Sequence, residues 1–221
     1  MTTSLAASQS QFWDRAAGTK VFSHPLDHER LLQEVGVDAA VLDYGCGRGR
    51  LCGELAQRGF RHVTGVDYSR EMIEAAKNEH PGLEFSVVDG ETLPFADARF
   101  DAVLLFAVLT CIAPDAAQRQ LMAEVKRVLR PGGLLLISDY PLQADARNVT
   151  RYDVFAQESG DGYAYGTFRL PDGGLVRHQH RDWFAGLLAD WTIVQEEEFD
   201  ATTMNGNPAR IVQIWARTPE R

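Results

Sequence analysis

Val41-Leu42-Asp43-Tyr44-Gly45-Cys46-Gly47-Arg48-Gly49-Arg50 is the stretch from which the rest of this 221-residue chain can be read. Val41 and Leu42 are aliphatic, as a buried strand requires. Gly45, Gly47 and Gly49 carry no side chain, so the backbone can turn tightly and approach a ligand. Leu51 to Arg58 are good helix formers, and Gly59 is placed to follow the helix end. Strand, glycine-rich turn and helix form the front half of a nucleotide-binding α/β unit, with the ligand at the carboxyl end of the strand. A phosphate-binding P-loop would end in Gly-Lys-Ser or Gly-Lys-Thr; this one ends Gly49-Arg50-Leu51. A dinucleotide fingerprint would need a third glycine where Arg50 stands.

The chain that follows repeats strand and helix. Arg61-His62-Val63-Thr64-Gly65-Val66-Asp67 reads as a second strand, with Asp67 at its carboxyl end. A carboxylate at this spacing past the glycines accepts hydrogen bonds from ribose hydroxyls, which points to an adenosine-containing ligand. Tyr68 and Met72 are placed to pack against adenine, and Ser69 caps a helix from Arg70 to Asn78. Leu83 to Val88 forms strand three, running into Asp89-Gly90-Glu91. Phe100 to Ala107 is apolar enough for a strand buried on both faces. Asp115 can cap a helix from Ala116 to Leu129. Arg130-Pro131-Gly132-Gly133 then breaks the chain before strand five, Leu134 to Ser138.

The Asp-x-Gly-x-Gly-x-Gly pattern from Asp43 to Gly49 resembles motif I of the class I S-adenosylmethionine (SAM) dependent methyltransferases. Asp67, the Asp89 segment with Leu93-Pro94-Phe95, and Arg-Pro-Gly-Gly before strand five resemble further motifs of that family, in order. The resemblance runs from Val41 to Asp139. It implies an α/β fold with a seven-stranded, mostly parallel Rossmann-like sheet, helices on both faces and the last strand antiparallel. It also implies SAM as cofactor, with S-adenosylhomocysteine as product. Gly45, Gly47 and Gly49 would approach its methionine part and ribose, Asp89 and Gly90 would lie by the adenine, and Phe106-Ala107 by the methionine. An N-terminal helix often covers the site in the family. Trp13, Phe22 and His24 are therefore candidates for a lid, beside the plainer reading of that segment as outer packing.

Composition narrows the function. The formal net charge is -9 and no basic run appears. Phosphate contacts need clustered Lys and Arg, so neither nucleic acid nor anionic membrane is expected as partner. There is no apolar run of spanning length, and a soluble cytoplasmic protein, monomer or homodimer, is expected. Cys46, Cys52 and Cys111 lack metal-ligand spacing and read as reduced thiols. Four segments of one domain are expected: residues 1–40 as N-terminal lid, 41–140 as SAM-binding core, 141–180 as cap insertion, and 181–221 as the closing helix and strands.

Past Tyr140 the family pattern stops. A short helix around Asn148 to Phe155 is expected, then a hairpin over Gly166 to His180 turning at Pro171-Asp172-Gly173-Gly174. A helix from Arg181 to Trp191 and two last strands, Thr192 to Phe199 and Arg210 to Ala216, follow. In this cap insertion Tyr163 and Tyr165 are candidates for the substrate pocket. His178 and His180 alternate on one strand face. A metal pair is the sharper reading, but no carboxylate or cysteine pattern completes a site, and no metal is expected.

The sulfonium of SAM activates three adjacent carbons. Transfer of its methyl group to a small-molecule acceptor is the leading expectation, with His24, Asp139 and Tyr140 as candidates to take the acceptor's proton. Two alternatives use the same fold. SAM could close on its own amino group, giving azetidine-2-carboxylate and methylthioadenosine. The protein could also bind SAM without turning it over.

Overall fold

A computed structural model describes residues 5–16, 24–88 and 92–220. Phe22, Asp89 and Gly90 lie outside the described residues. Nine strands are found there: β1 (Ala40–Tyr44), β2 (His62–Asp67), β3 (Glu84–Val87), β4 (Phe100–Phe106), β5 (Leu129–Asp139), β6 (Thr167–Arg169), β7 (Leu175–Arg177), β8 (Thr192–Thr202) and β9 (Pro208–Arg217). The helices are α1 (Leu5–Ala16), α2 (His28–Val35), α3 (Arg50–Gln57), α4 (Arg70–Glu79), α5 (Asp115–Val128), α6 (Ala146–Ser159) and α7 (Arg181–Leu187).

Seven strands form one sheet in the order β3-β2-β1-β4-β5-β9-β8. β1 to β5 run parallel, and β9 lies antiparallel between β5 and β8. The order therefore reverses between β1 and β4, and the ends of these neighbours mark the topological switch point where α/β folds bind ligands.

Alternation along the strands builds two cores. Leu42, Val103, Leu105, Leu135 and Ile137 pack with Leu121 and Val125 of α5 and Phe184 of α7. Val41, Ala102, Leu104 and Leu136 pack with Leu31, Leu55 and Ile73 from α2, α3 and α4. Both sheet faces are thus covered, which is why the central strands read as continuous apolar runs. A third cluster joins Phe12 and Trp13 of α1 to Met72, Tyr152, Phe155, Phe168 and Val176.

Several local expectations are corrected. Asp115 does not cap α5. Pro114 holds the cap position, and Asp115 pairs with Arg177 of β7. β5 begins at Leu129, because Arg130 to Gly133 continue the strand through an irregular register against β4. α6 extends to Ser159, and α7 stops at Leu187. His178 and His180 do not share a strand face. β7 ends at Arg177; His178 is buried, while His180 is exposed and its Nδ1 accepts the Asp182 N–H at the start of α7. Among the described residues no helix is long and apolar enough to cross a membrane, and no cluster of three His, Cys, Asp or Glu side chains could hold a metal.

Candidate active site

The glycine turn closes through its own backbone. The N–H groups of Gly45 and Cys46 both donate to the Val66 carbonyl of β2, at 2.8 and 3.0 Å, and Gly49 N–H donates to Cys46 at 2.9 Å. Gly45, Gly47 and Gly49 all have positive φ, and Gly49 is the left-handed residue that opens α3. A Cβ at Gly45 would fall 2.7 Å from Val108 Cγ2, so the turn is pressed against the chain leaving β4. At Gly47 the nearest atom would be Met72 Sδ, 3.9 Å away, and both Gly45 and Gly47 remain partly exposed.

Asp67 ties this turn to the next helix. Its Oδ2 accepts Gly47 N–H at 2.9 Å and its Oδ1 accepts Ser69 N–H at 2.8 Å. Burial pushes its pKa up to about 6 against these bonds. Ser69 Oγ caps α4 by accepting Met72 N–H. Asp43 is more deeply enclosed, only 2% exposed, with Cys52 Sγ donating to it at 3.4 Å. Burial pushes its pKa up to about 7. Tyr68 is half-buried and stands with Met72 in the cluster that contains Trp13.

The end of β4 supplies a feature with no sequence signature. Ala107 has φ 55°, the left-handed region that L residues avoid, and its N–H donates to Ser138 O at 2.8 Å. A short 3-10 helix, Leu109–Cys111, follows. Asp139 holds it in place: one carboxylate oxygen accepts Thr110 N–H at 3.2 Å and the other accepts Tyr140 N–H at 2.8 Å. With no exposure, Asp139 is pushed up to about 7 by burial. Gln118 of α5 supports the same turn, donating to the carbonyls of Leu109 and Ile112.

His24 and His178 flank Tyr140. The His24 ring meets Tyr140 edge-on at 4.9 Å, and His178 stacks on it at 5.2 Å. His24 Nδ1 lies 3.1 Å from the Ser138 carbonyl, which can only accept. The proton is therefore on Nδ1 and the lone pair on Nε2, which is buried without a partner. Burial lowers the His24 pKa to about 4, and the ring is neutral near pH 7.

Tyr140 also lines a cavity beside the 3-10 helix. Trp13, Thr110 and Cys111 bound it on one side, Arg147, Arg151, Phe168 and His178 on another, and Thr203 to Asn207 of the β8–β9 loop close it. The tyrosines expected at a substrate pocket stand apart from this cavity. Tyr163 packs edge-on against Phe155, and Tyr165 is 48% exposed with its hydroxyl donating to Asp153; neither lines this cavity. His24 stands behind Tyr140 and does not line it either. Arg147 and Arg151 were missed, although their spacing of four on a helix puts both on one face.

α1 packs over the start of α4 and the β6–β7 hairpin together. Asp14 accepts Ser69 Oγ–H at 2.7 Å, at the start of α4. Gln9 donates to Leu175 O and accepts Leu175 N–H in the hairpin. Phe12 lies against Gly174, where a Cβ would approach its ring to 2.6 Å.

With this geometry in hand, similarity to known proteins is specific. Residues 42–137 match the family model of a methyltransferase domain. The demethylmenaquinone methyltransferase of Beutenbergia cavernae is 34% identical over 166 residues, 72% of this chain and 68% of its own length. The chain belongs to the SAM-dependent methyltransferase family. A SAM-dependent methyltransferase structure from Methanosarcina mazei superposes with a TM-score of 0.79 at 26% identity, over 91% of this chain and all of that one (100%). The chain is also 33% identical over 132 residues to O-methyltransferase rstn1 of Aspergillus nomiae, 54% of this chain and 57% of that protein. It is 32% identical over 125 residues to the human probable tRNA methyltransferase 9B, 57% of this chain but only 26% of that protein. The chain thus spans about a quarter to three fifths of these last two relatives.

Proposed function

We propose that this protein transfers a methyl group from SAM to a small-molecule acceptor held in the cavity between Tyr140, the cap insertion and the β8–β9 loop. The observation that carries the reading is the position of this cavity. It is bounded by Thr110 and Cys111 after β4 and by Tyr140 after β5, and is walled by α1, the cap insertion and the β8–β9 loop. Its volume is about 50 Å³, so only a small part of an acceptor fits unless the cap insertion or the β8–β9 loop moves. The formal net charge of -9 disfavours a polyanionic one. The similarity to a methyltransferase that acts on demethylmenaquinone supports a small-molecule acceptor.

The residues present fit the cofactor. Gly47 leaves open space beside the Asp67 carboxylate, and that carboxylate can receive ribose hydroxyls on its remaining lone pairs. Tyr68 and Met72 would face the adenine, Gly45 and Gly47 the methionine part, with Phe106 and Ala107 at the end of β4. Bound SAM supplies a methyl group already activated by its sulfonium.

The chain's own contribution is chiefly positioning, which can lower a barrier by about 7 kcal/mol or more. Asp139 is a positioning residue, because backbone N–H groups occupy its oxygens. Burial pushes the Tyr140 hydroxyl well up, so it stays protonated and forms part of the wall. His24 keeps the free lone pair on Nε2 and orients Tyr140 from behind. Trp13 roofs the cavity from α1.

The test is to incubate purified protein with SAM, with and without a pool of small metabolites, and to follow products by mass spectrometry against a protein-free control. S-adenosylhomocysteine formed only with the metabolite pool is expected. Methylthioadenosine formed from SAM alone would replace this reading with ring closure of SAM. Turnover with bulk tRNA but not with metabolites would replace it with a nucleic-acid acceptor.

A further inference from the structure

Resting on the small-molecule reading, we propose that the acceptor carries a carboxylate, received in the cavity by the Arg151 guanidinium and the Nε2–H of His178. Tyr152 sets the second donor. Its hydroxyl lies 2.5 Å from His178 Nδ1 and receives Gln143 N–H at 3.3 Å. The Arg151 guanidinium lies beside the same hydroxyl and favours electron density on its oxygen. With Gln143 N–H and this cation facing the oxygen, the phenol directs its one proton to Nδ1. The other ring nitrogen of His178 is therefore an N–H. Burial holds the ring neutral, and His178 lines the cavity, stacked on Tyr140 and edge-on to Phe168.

Arg151 is the charged partner. Its Cζ sits 3.4 Å from the Phe168 ring centroid, so one face is covered by an aromatic side chain. Its Nε is buried without a hydrogen-bond partner. Among the described residues it makes no ion pair. The neighbouring carboxylate Asp145 is committed to capping α6 through Asn148 N–H and lies 3.8 Å from Arg147. A half-buried guanidinium without a counter-ion is costly, and an anion on the ligand offsets that cost. The cavity thus presents a cation and an N–H donor on a chain whose overall charge is negative, a local match to an anionic group.

The test uses protein saturated with S-adenosylhomocysteine and titrates benzoate, 4-hydroxybenzoate and indole-3-acetate, each against its carboxamide, by calorimetry. At least one acid should bind about tenfold tighter than its amide, the scale of a hydrogen bond to a charged group. Arg151→Met keeps the stem over Phe168 and should remove that preference, while Arg169→Met, outside the cavity, should keep it. In Tyr152→Phe the imidazole 15N shifts of His178 should move away from a pure Nε2–H tautomer. Equal binding of acids and amides, absence of binding by every acid, or a preference that survives Arg151→Met overturns the proposal. So does loss of S-adenosylhomocysteine affinity in Arg151→Met, which would assign the arginine to the cofactor's own carboxylate. Failure of the wild type to bind S-adenosylhomocysteine would instead defeat the methyltransferase reading.

Discussion

The proposed cofactor side and the proposed acceptor side of this site are built by different means. On the cofactor side the contacts are mostly backbone: Gly45 and Cys46 on Val66, Gly47 and Ser69 on Asp67, Thr110 and Tyr140 on Asp139. Each functional group sits at the end of a parallel strand, where sheet register fixes it. On the acceptor side the walls are side chains from α1, α6, the β7 end and the β8–β9 loop. They are held together by packing around Tyr152 and Phe168 rather than by a ladder. A backbone-built site tolerates little change at its glycines. A side-chain-built one can change its ligand while the sheet stays as it is.

Two alanine substitutions test that separation most strongly. Gly166 has φ 98°, and a Cβ there would meet the His178 carbonyl at 2.2 Å, with backbone on both sides of the contact. Gly166→Ala should cost about 3 kcal/mol or more in denaturant unfolding, from left-handed strain plus overpacking. Gly45→Ala meets a movable Val108 methyl and should cost about 2–4 kcal/mol on the same grounds. The separation predicts opposite consequences for ligands. Gly45→Ala should lose S-adenosylhomocysteine binding, whereas folded Gly166→Ala should keep it. Equal loss in both would mean that the two sides form one cooperative unit.

A smaller effect locates the join between the sides. Asp14→Ala removes the bond to Ser69 Oγ while leaving that hydroxyl on Met72 N–H. With the weaker bond from Glu71 N–H also lost, it should cost about 1–2 kcal/mol, a part-exposed carboxylate's hydrogen bonds being at the low end of those to charged groups. If α1 roofs the site, part of that loss appears as weaker cofactor affinity. If α1 is outer packing, it appears in unfolding alone.

The same difference explains how much could be read from the sequence. The alternation of strand and helix, the Ser69 cap, the glycine turn and the place of Asp67 at a strand end were legible because each is set by residues adjacent in the chain. Ala107 was not, since its left-handed φ is imposed by Ser138 and the following 3-10 helix rather than by its residue type. The choice of Tyr163 and Tyr165 followed aromatic character. The structure instead brings Arg147 and Arg151 to one cavity with His178 and Asn207, a juxtaposition that depends on tertiary closure. Asp115 illustrates the same limit. Its type and position suit a cap, but Arg177, far along the chain, takes its carboxylate.

The most direct test of the central claim is the pH dependence of S-adenosylhomocysteine binding, by calorimetry from pH 5 to 8, for wild type and Asp67→Asn. Burial raises the Asp67 pKa to about 6, so above that pH the carboxylate is ionised and free to accept ribose hydroxyls. As pH falls through that value protonation competes with binding, and affinity should drop by up to about tenfold per pH unit. Asp67→Asn should bind roughly 1.5–3 kcal/mol more weakly at pH 8, the worth of hydrogen bonds to a charged group. Its profile should be flatter over the same range. A variant that binds as tightly as wild type, with the same pH profile, would contradict the placement of the cofactor at Asp67 and the account built on it.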